Sequence, residues 1–248
     1  MFSLCIPTMD RYDKFLSKYL PKYLSFDLID EIIISDENGN DATKILNAFG
    51  NNSKIKININ DVRKGPFLNK YTCCKLAKNE WIALIDSDNF ADNDYFIAAN
   101  NFIKQNITNQ NVILSPSFAK PTFNFTHLSG YVYNKNSLKN NKMLENNNPH
   151  KKSDSDILMN TGNYVLNKYL IDNINLHGET DTINQSSACD VIYLNTLLFE
   201  QLDMSIYIVP EMSYEHVVHN GSIYIKTNGN TRDCIKKVHE RYYKLLHN

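Results

Sequence analysis

The sequence predicts an α/β fold, a mostly parallel sheet covered by helices on both faces. Strand-type and helix-type patterns alternate through the first hundred residues, an order that argues for parallel pairing. Two of the strand-type runs, "FSLCI" and "EWIALI", are apolar enough to lie buried. The second of them ends abruptly in "DSDN", placing Asp86 and Asp88 at the carboxyl end of a core strand.

Taken in order, "FSLCI" is the first strand. Tyr12, Phe15, Leu16, Tyr19, Leu20 and Tyr23 then recur at helical spacing. "EIIIS" (31–35) is the second strand, followed by the polar turn "DENGN" and a short helix stopped by Gly50. In "KIKINI" (54–59), Lys and Ile alternate as in a strand with one exposed face. Pro66 fits the first turn of a helix reaching about Lys78, and "EWIALI" is the fourth strand. Beyond Asn89 come the helix "DNDYFIAANNFIKQN" and the short strand "VILSP". The polar segment 134–156 reads as a flexible surface loop. "MNTGNYVLNKYLIDNI", the helix "CDVIYLNTLLFEQL", the strand "SIYIV" and a C-terminal helix from about Thr231 complete the pattern. One domain over 1–248 is expected, with a first half (1–96) and a variable second half (97–248).

Composition narrows the function classes. Of 248 residues, 42% are hydrophobic, enough for a sizeable core, and a net charge of -1 gives no reason to expect nucleic acid or an anionic membrane as partner. Five cysteines without CxxC spacing indicate neither a zinc site nor a complete disulfide framework. No run approaches the roughly 18 apolar residues of a membrane span. The opening "MFSLCIPTMD" does not read as a signal peptide. A cytoplasmic setting is therefore expected, and the sequons at Asn51, Asn106, Asn124, Asn184 and Asn220 are read as products of an Asn-rich composition.

In open parallel sheets, ligands bind beyond the carboxyl ends of the strands. Two carboxylates one residue apart repel each other and call for a cation. Mg²⁺ and Mn²⁺ take oxygen ligands and are often held by one or two carboxylates plus substrate phosphates. A metal-bound diphosphate thus accounts for Asp86 and Asp88. The plain alternative is a solvated turn, for which Asp, Ser and Asn are ordinary residues.

In combination, "FSLCIPTMDR", "IIISDENGND" and "GPFLNKYTCCKLAKNEWIALIDSDN" resemble the GT-A glycosyltransferases, in particular the family 2 type. The resemblance covers about residues 2–96. It rests on Pro7, Thr8 and Arg11, on Asp36, on Gly65, Asn69 and Lys70, and on Asp86, Ser87 and Asp88. It implies that Pro7, Thr8 and Asp36 line the nucleoside pocket, with Asp36 accepting a hydrogen bond from uracil or ribose. It also implies that Arg11, Asn69, Lys70 and Ser87 join Asp86 in donor binding. Simpler roles stand beside these: a strand end for Pro7 and Thr8, a turn cap for Asp36, and surface positions for Arg11 and Lys70. The family often carries Arg near position 70, so the role of Lys70 stays open.

Further along, "NTGNYVLNK" resembles the family's Gly/Asn stretch beside the donor sugar, which implicates Gly162 and Asn163. Inverting members carry an acidic pair at the start of a later helix. Here it is Cys189-Asp190, which leaves Asp190 as the base that deprotonates the acceptor hydroxyl. The simpler role for Asp190 is a helix N-cap, and Glu179 or Asp181 would then be alternative bases. "HNGS" near the C terminus matches a stretch in which a histidine completes the metal shell. This points to His219 ahead of His216, beside Asp86 and Asp88.

Together these imply a Mn²⁺- or Mg²⁺-dependent, inverting glycosyltransferase that moves a sugar from a nucleotide-diphospho-sugar, a UDP-sugar first, to a glycan or other hydroxyl acceptor. A sugar-nucleotide nucleotidyltransferase is the nearest rival, but "PTMDRYDKF" lacks the Gly-rich basic loop of that class. A non-catalytic binding relic is the other. The donor sugar, the acceptor and the oligomeric state are not legible in the sequence.

Overall fold

The computed structural model describes residues 1–140, 154–176, 189–221 and the short helical pieces 236–238, 240–241 and 244–245. Nine strands among them form one sheet. In chain order they are β1 (Phe2–Thr8), β2 (Ile29–Asp36), β3 (Ile55–Ile59), β4 (Trp81–Leu84), β5 (Val112–Lys120), β6 (Phe123–Asn124), β7 (Val132–Tyr133), β8 (Val165–Asn167) and β9 (Ser205–Glu215). The spatial order is β3-β2-β1-β4-β8-β5-β9-β7, with β6 paired to β5.

The first four strands are mutually parallel. Both β1 and β4 are buried along their whole length, as their apolar runs require. β1 stands between β2 and β4, at the point where the strand order reverses. Its pairing with β4 ends at Cys5↔Leu84, whereas its pairing with β2 continues to Thr8↔Asp36. Pro7 therefore forfeits no ladder bond on the β4 side, and the last residues of β1 border a crevice. This is the switch point where open α/β sheets bind ligands.

The helices that matter to the crevice are α1 (Ser17–Leu24), entered through a π turn at Tyr12–Leu16, α2 (Asn40–Phe49), α3 (Gly65–Lys75) and α4 (Asn93–Asn106). Phe15, Leu16, Leu20 and Tyr23 are the buried positions of the first segment, as the spacing predicts. α3 stops three residues short of the expected Lys78. The Lys78 amide donates instead to Glu31 Oε1 at 2.8 Å, which pulls the chain out of the helix. Short helices α5 (Lys135–Asn140), α6 (Asp154–Met159) and α7 (Lys168–Asn173) precede α8 (Asp190–Leu202), whose residues Asp190 to Phe199 are all buried.

Two expectations need correction. "VILSP" is not a short strand, and the strand at "SIYIV" runs on past it: β5 and β9 pair in parallel from Val112↔Ser205 to Lys120↔Glu215. Pro116 and Pro210 both fall at a register shift, where a bulge absorbs the missing N–H. Part of the polar 134–156 segment is helical, at 135–140 and from 154, while 141–153 lie outside the described residues. So do most of the predicted C-terminal helix, Glu179, Asp181 and Cys234. Cys5, Cys73, Cys74 and Cys189 are buried. Among the described residues no helix is long and apolar enough to cross a membrane.

At the end of the sheet opposite the crevice, Glu31 ties three segments together. Its Oε1 accepts from Ser3 Oγ at 2.5 Å and from the Lys78 amide, and its Oε2 lies 2.6 Å from Lys56 Nζ. Burial pushes the Glu31 carboxyl up, but Lys56, Ser3 and the Lys78 amide outweigh it and hold it below its ordinary value. The sign follows: the stabilisation is present above the unfolded-state value of about 4.3 and is lost as pH falls through the lower folded value. Glu31→Gln is expected to cost ~1–3 kcal/mol at neutral pH and to flatten the acid limb. Urea midpoints measured from pH 7 downward check both; an unchanged acid limb would mean that Glu31 does not carry this pH dependence.

Candidate active site

A cavity of about 760 Å³ opens at the carboxyl ends of β1 and β4. Its wall includes Pro7, Thr8, Arg11, Asn69, Lys70, Asp86, Ser87, Asp88, Gly162, Asn163, Asp190 and His219. Among the described residues, every candidate that the sequence offers except Asp36 is therefore brought to one place, from segments spread over the chain.

Asp86 is fixed from behind by Asn163. The Asp86 amide donates to Asn163 Oδ1 at 2.7 Å, and Asn163 Nδ2 lies 3.4 Å from Asp86 Oδ2. Asn163 holds this position with φ +56°, in the left-handed region that Asn tolerates better than other side chains. Tyr95 on α4 locks the turn by donating its hydroxyl to the Asn163 carbonyl at 2.8 Å. Gly162 has a different reason: an added Cβ would sit 3.1 Å from Val191 Cγ2, so glycine lets this turn lie against the start of α8.

Lys70, on α3, joins the two walls. Its Nζ is 2.9 Å from Asp86 Oδ1 and 2.8 Å from Asp190 Oδ2, with only 12% of the side chain exposed. Burial alone would push the ammonium down; the Asp190 and Asp86 charges overcome it and hold it well above its ordinary value. At Asp190 burial is the largest influence and pushes the carboxyl up, Asp86 adds to it, and Lys70 opposes. Asp190 is the first residue of α8, and Cys189, not Asp190, occupies the N-cap position. Its Oδ1 accepts from the Val191 amide at 2.8 Å.

Asp88 faces a different set of partners. After the motif, Phe90 and Glu215 exchange backbone hydrogen bonds at 3.1 and 2.8 Å, and the Val217 amide donates to Asn89 Oδ1 at 3.0 Å. These ties draw the segment after β9 across the site and bring His219 Nε2 to 3.0 Å from Asp88 Oδ2. His219 Nδ1 accepts from the Gly221 amide at 3.1 Å, which makes Nε2 the protonated nitrogen and Asp88 its acceptor. Arg11 sits alongside, donating from Nη2 to the Gly221 carbonyl at 2.9 Å, with Nε 3.8 Å from Asp88 Oδ2. His216 also lines the cavity, but its backbone is tied to Lys120 and it does not pair with Asp88.

At the end of the cavity beside β2 the structure corrects the sequence. Asp36 is fully buried and does not line the cavity; its Oδ2 accepts from the Ala42 amide at 2.9 Å, inside the first turn of α2. The turn-cap role therefore holds. The next residue, Glu37, reaches the cavity wall instead. Its Oε2 accepts from the Lys64 amide at 2.8 Å, and burial pushes its carboxyl up despite that bond and the Arg63 charge. The Thr8 hydroxyl is committed to Asp41, whose carboxylate also takes the amides of Arg11 and Tyr12. Asn69 bridges Ser35 O and Asn60, so it braces α3 against β2 as well as facing the cavity.

Glu37, Arg63 and Tyr214 also line the cavity, and sequence reasoning misses all three. For Glu37 a signal exists: adjacent strand-end residues face opposite sides, so one of the pair Asp36-Glu37 has to face the crevice. Among the described residues no group of three or more His, Cys, Asp or Glu side chains is placed to hold a metal. Asp88 and His219 do converge on the cavity. Mg²⁺-like ions are usually held by one or two carboxylates plus substrate phosphates and water; Asp88 supplies such a carboxylate when a diphosphate is present, and His219 can join it once Nε2 gives up its proton.

Residues 3–162 match the family model described as glycosyl transferase family 2. No curated protein sequence matches the chain. Among solved structures, the chain resembles S. aureus TarS 1–349 (TM-score 0.62, 14% identity, covering 97% of this chain and 64% of that one). It also resembles TarS 1–349 in complex with UDP-GlcNAc (TM-score 0.61, 12% identity, covering 99% and 70%). A longer TarS structure gives TM-score 0.63 at 13% identity, covering 96% of this chain and 38% of that one. At these identities the likeness is one of fold, the mixed α/β GT-A architecture, and the chain spans less than two thirds of the first TarS chain.

Proposed function

We propose that this chain, which belongs to glycosyl transferase family 2, moves a sugar from a nucleoside-diphospho-sugar to a hydroxyl acceptor with inversion at the anomeric carbon. One observation carries the reading: Asp86, Lys70 and Asp190 form a continuous ion-paired chain along one cavity, joining the turn after β4 to the start of α8. That arrangement sets a donor-side carboxylate and a buried carboxylate base at a fixed separation.

In this reading Asp190 takes the proton of the acceptor hydroxyl. The oxygen attacks the anomeric carbon, and the bond from that carbon to the diphosphate oxygen breaks with its electron pair leaving on the diphosphate. Burial keeps Asp190 basic, while its ion pair with Lys70 keeps it ionised. Arg11, within the cavity wall, adds positive charge near the departing phosphates. Asp88 and His219 are the residues that would hold Mn²⁺ or Mg²⁺; Asp86, expected from the sequence to join them, is instead paired through Oδ1 with Lys70. When bound, the ion supplies Lewis-acid neutralisation of charge developing on the diphosphate. Uridine is the favoured base because the structural neighbours include TarS complexes with UDP and UDP-GlcNAc.

Each site carboxylate already has a cationic or N–H partner from the chain, so little uncompensated charge draws an ion in alone. Calorimetry is therefore expected to show no Mn²⁺ binding by itself, and UDP binding on the order of micromolar that needs Mn²⁺. Binding of GDP or CDP instead would overturn the uridine assignment. No nucleotide binding to the folded protein would overturn the function.

A further inference from the structure

We infer that Lys70 is a positioning residue for the base, holding Asp190 at a set distance from Asp86, and is not a ligand of the donor diphosphate. The inference rests on the glycosyltransferase reading above. A lysine on a helix facing a nucleotide cavity would ordinarily be assigned to phosphate. Here its ammonium is committed: two of its three donors are taken by carboxylates at 2.9 and 2.8 Å. Swinging it to a phosphate would leave Asp190, 4% exposed, without a counter-charge, and an unpaired buried charge is strongly destabilising.

The surroundings hold the lysine where it is. An ammonium has no fixed fork of donors, so its placement must come from its helix. α3 is pinned to β2 by Asn69 Nδ2 donating to Ser35 O at 3.0 Å and by Cys73 Sγ, 3.3 Å from Ile33 O. It is pinned to α8 by Phe67, whose ring packs edge-on against Tyr193 with centroids 5.0 Å apart. Asp190 is held at both oxygens, Oδ1 by the Val191 amide and Oδ2 by Lys70. A carboxylate offers about four lone-pair sites, so two remain for an acceptor hydroxyl, in an orientation Lys70 helps to fix. Asp86 is anchored in turn by Asn163.

The test is Lys70→Met, read as UDP affinity by calorimetry and as UDP release from a panel of UDP-hexoses. Expected is a UDP Kd within about twofold of wild type with kcat lowered on the order of 10²-fold, the scale of general-base assistance. Lys70→Arg is expected to restore part of kcat. In an Asp190→Asn background, Lys70→Met is expected to cost nothing further, within about twofold, because both changes act through one group. A UDP Kd weakened tenfold or more, with uridine affinity unchanged, would make Lys70 a phosphate ligand and overturn the inference. So would losses that multiply in the double variant. Should Lys70→Met fail to fold, Lys70→Met/Asp190→Asn removes the buried charge together with its partner, and its UDP affinity decides in the same way. If wild type binds no UDP, the functional reading fails and this inference goes with it. If wild type binds and turns over while Lys70→Met loses affinity, only this inference fails.

Discussion

Asp190→Asn is expected to lower kcat by ~10²–10⁴-fold while leaving Mn²⁺-dependent UDP binding within about twofold. Asn keeps the shape of the side chain, and its single Oδ1 can still accept from one of the two donors, Lys70 or the Val191 amide, that Asp190 now meets with separate oxygens. It cannot take up a proton. Lys70 retains Asp86 at 2.9 Å, so the buried ammonium is not stranded and the fold should survive. What disappears is the buried carboxylate at the start of α8. Full activity in Asp190→Asn would exclude it as the base and turn attention to Glu179 and Asp181, by the same substitution. The anomeric configuration of the product, read by NMR during turnover, is the companion measurement. A retained configuration would sink the single-displacement mechanism even if Asp190 proved essential.

How Asp190 comes to face Asp86 shows what a sequence can and cannot reveal. The buried strands and the acids at the end of β4 are legible at once because both are local: an apolar run closed by carboxylates marks a core strand emerging at a polar rim. The alternation that yields the β3-β2-β1-β4 half-sheet is legible for the same reason. Lengths fail where a distant partner breaks the local rule. β5 and β9 run through Pro116 and Pro210 because each supplies the other's hydrogen bonds on both sides of a bulge, which no window around either proline discloses.

The same division holds in the site. Local motifs point to Asp88 and to His219 separately, but their contact depends on the Phe90–Glu215 bridge and on Asn89 catching Val217. Asp36 has the right place in the sequence for the cavity, yet the free amides at the start of α2 capture it and leave the crevice to Glu37. Position alone leaves Lys70 open between donor binding and a surface place; only its packing against α8 shows that two carboxylates already claim it. Residue type and spacing thus locate the site, and long-range packing assigns the partners.

Asp88→Ala is expected to reduce UDP affinity in Mn²⁺ to the level measured without metal, with little change in stability. Asp88 is 22% exposed, and its contacts are His219 at 3.0 Å and Arg11 at 3.8 Å. Pairs of this exposure contribute about 0–1 kcal/mol, so the melting temperature should move by no more than about 4 °C. Asp86→Ala makes the contrast. It strips the buried Lys70 of one of its two carboxylates and frees the Asn163 side-chain contact, so it should cost more stability for a similar loss of binding. His219→Ala should fall between wild type and Asp88→Ala in Mn²⁺-dependent affinity, since Asp88 would remain as a ligand beside the diphosphate oxygens. If Asp88→Ala keeps the full Mn²⁺ enhancement, the ion is held elsewhere, and the contact between Asp88 and His219 is a structural clasp that ties the segment after β9 to the end of β4.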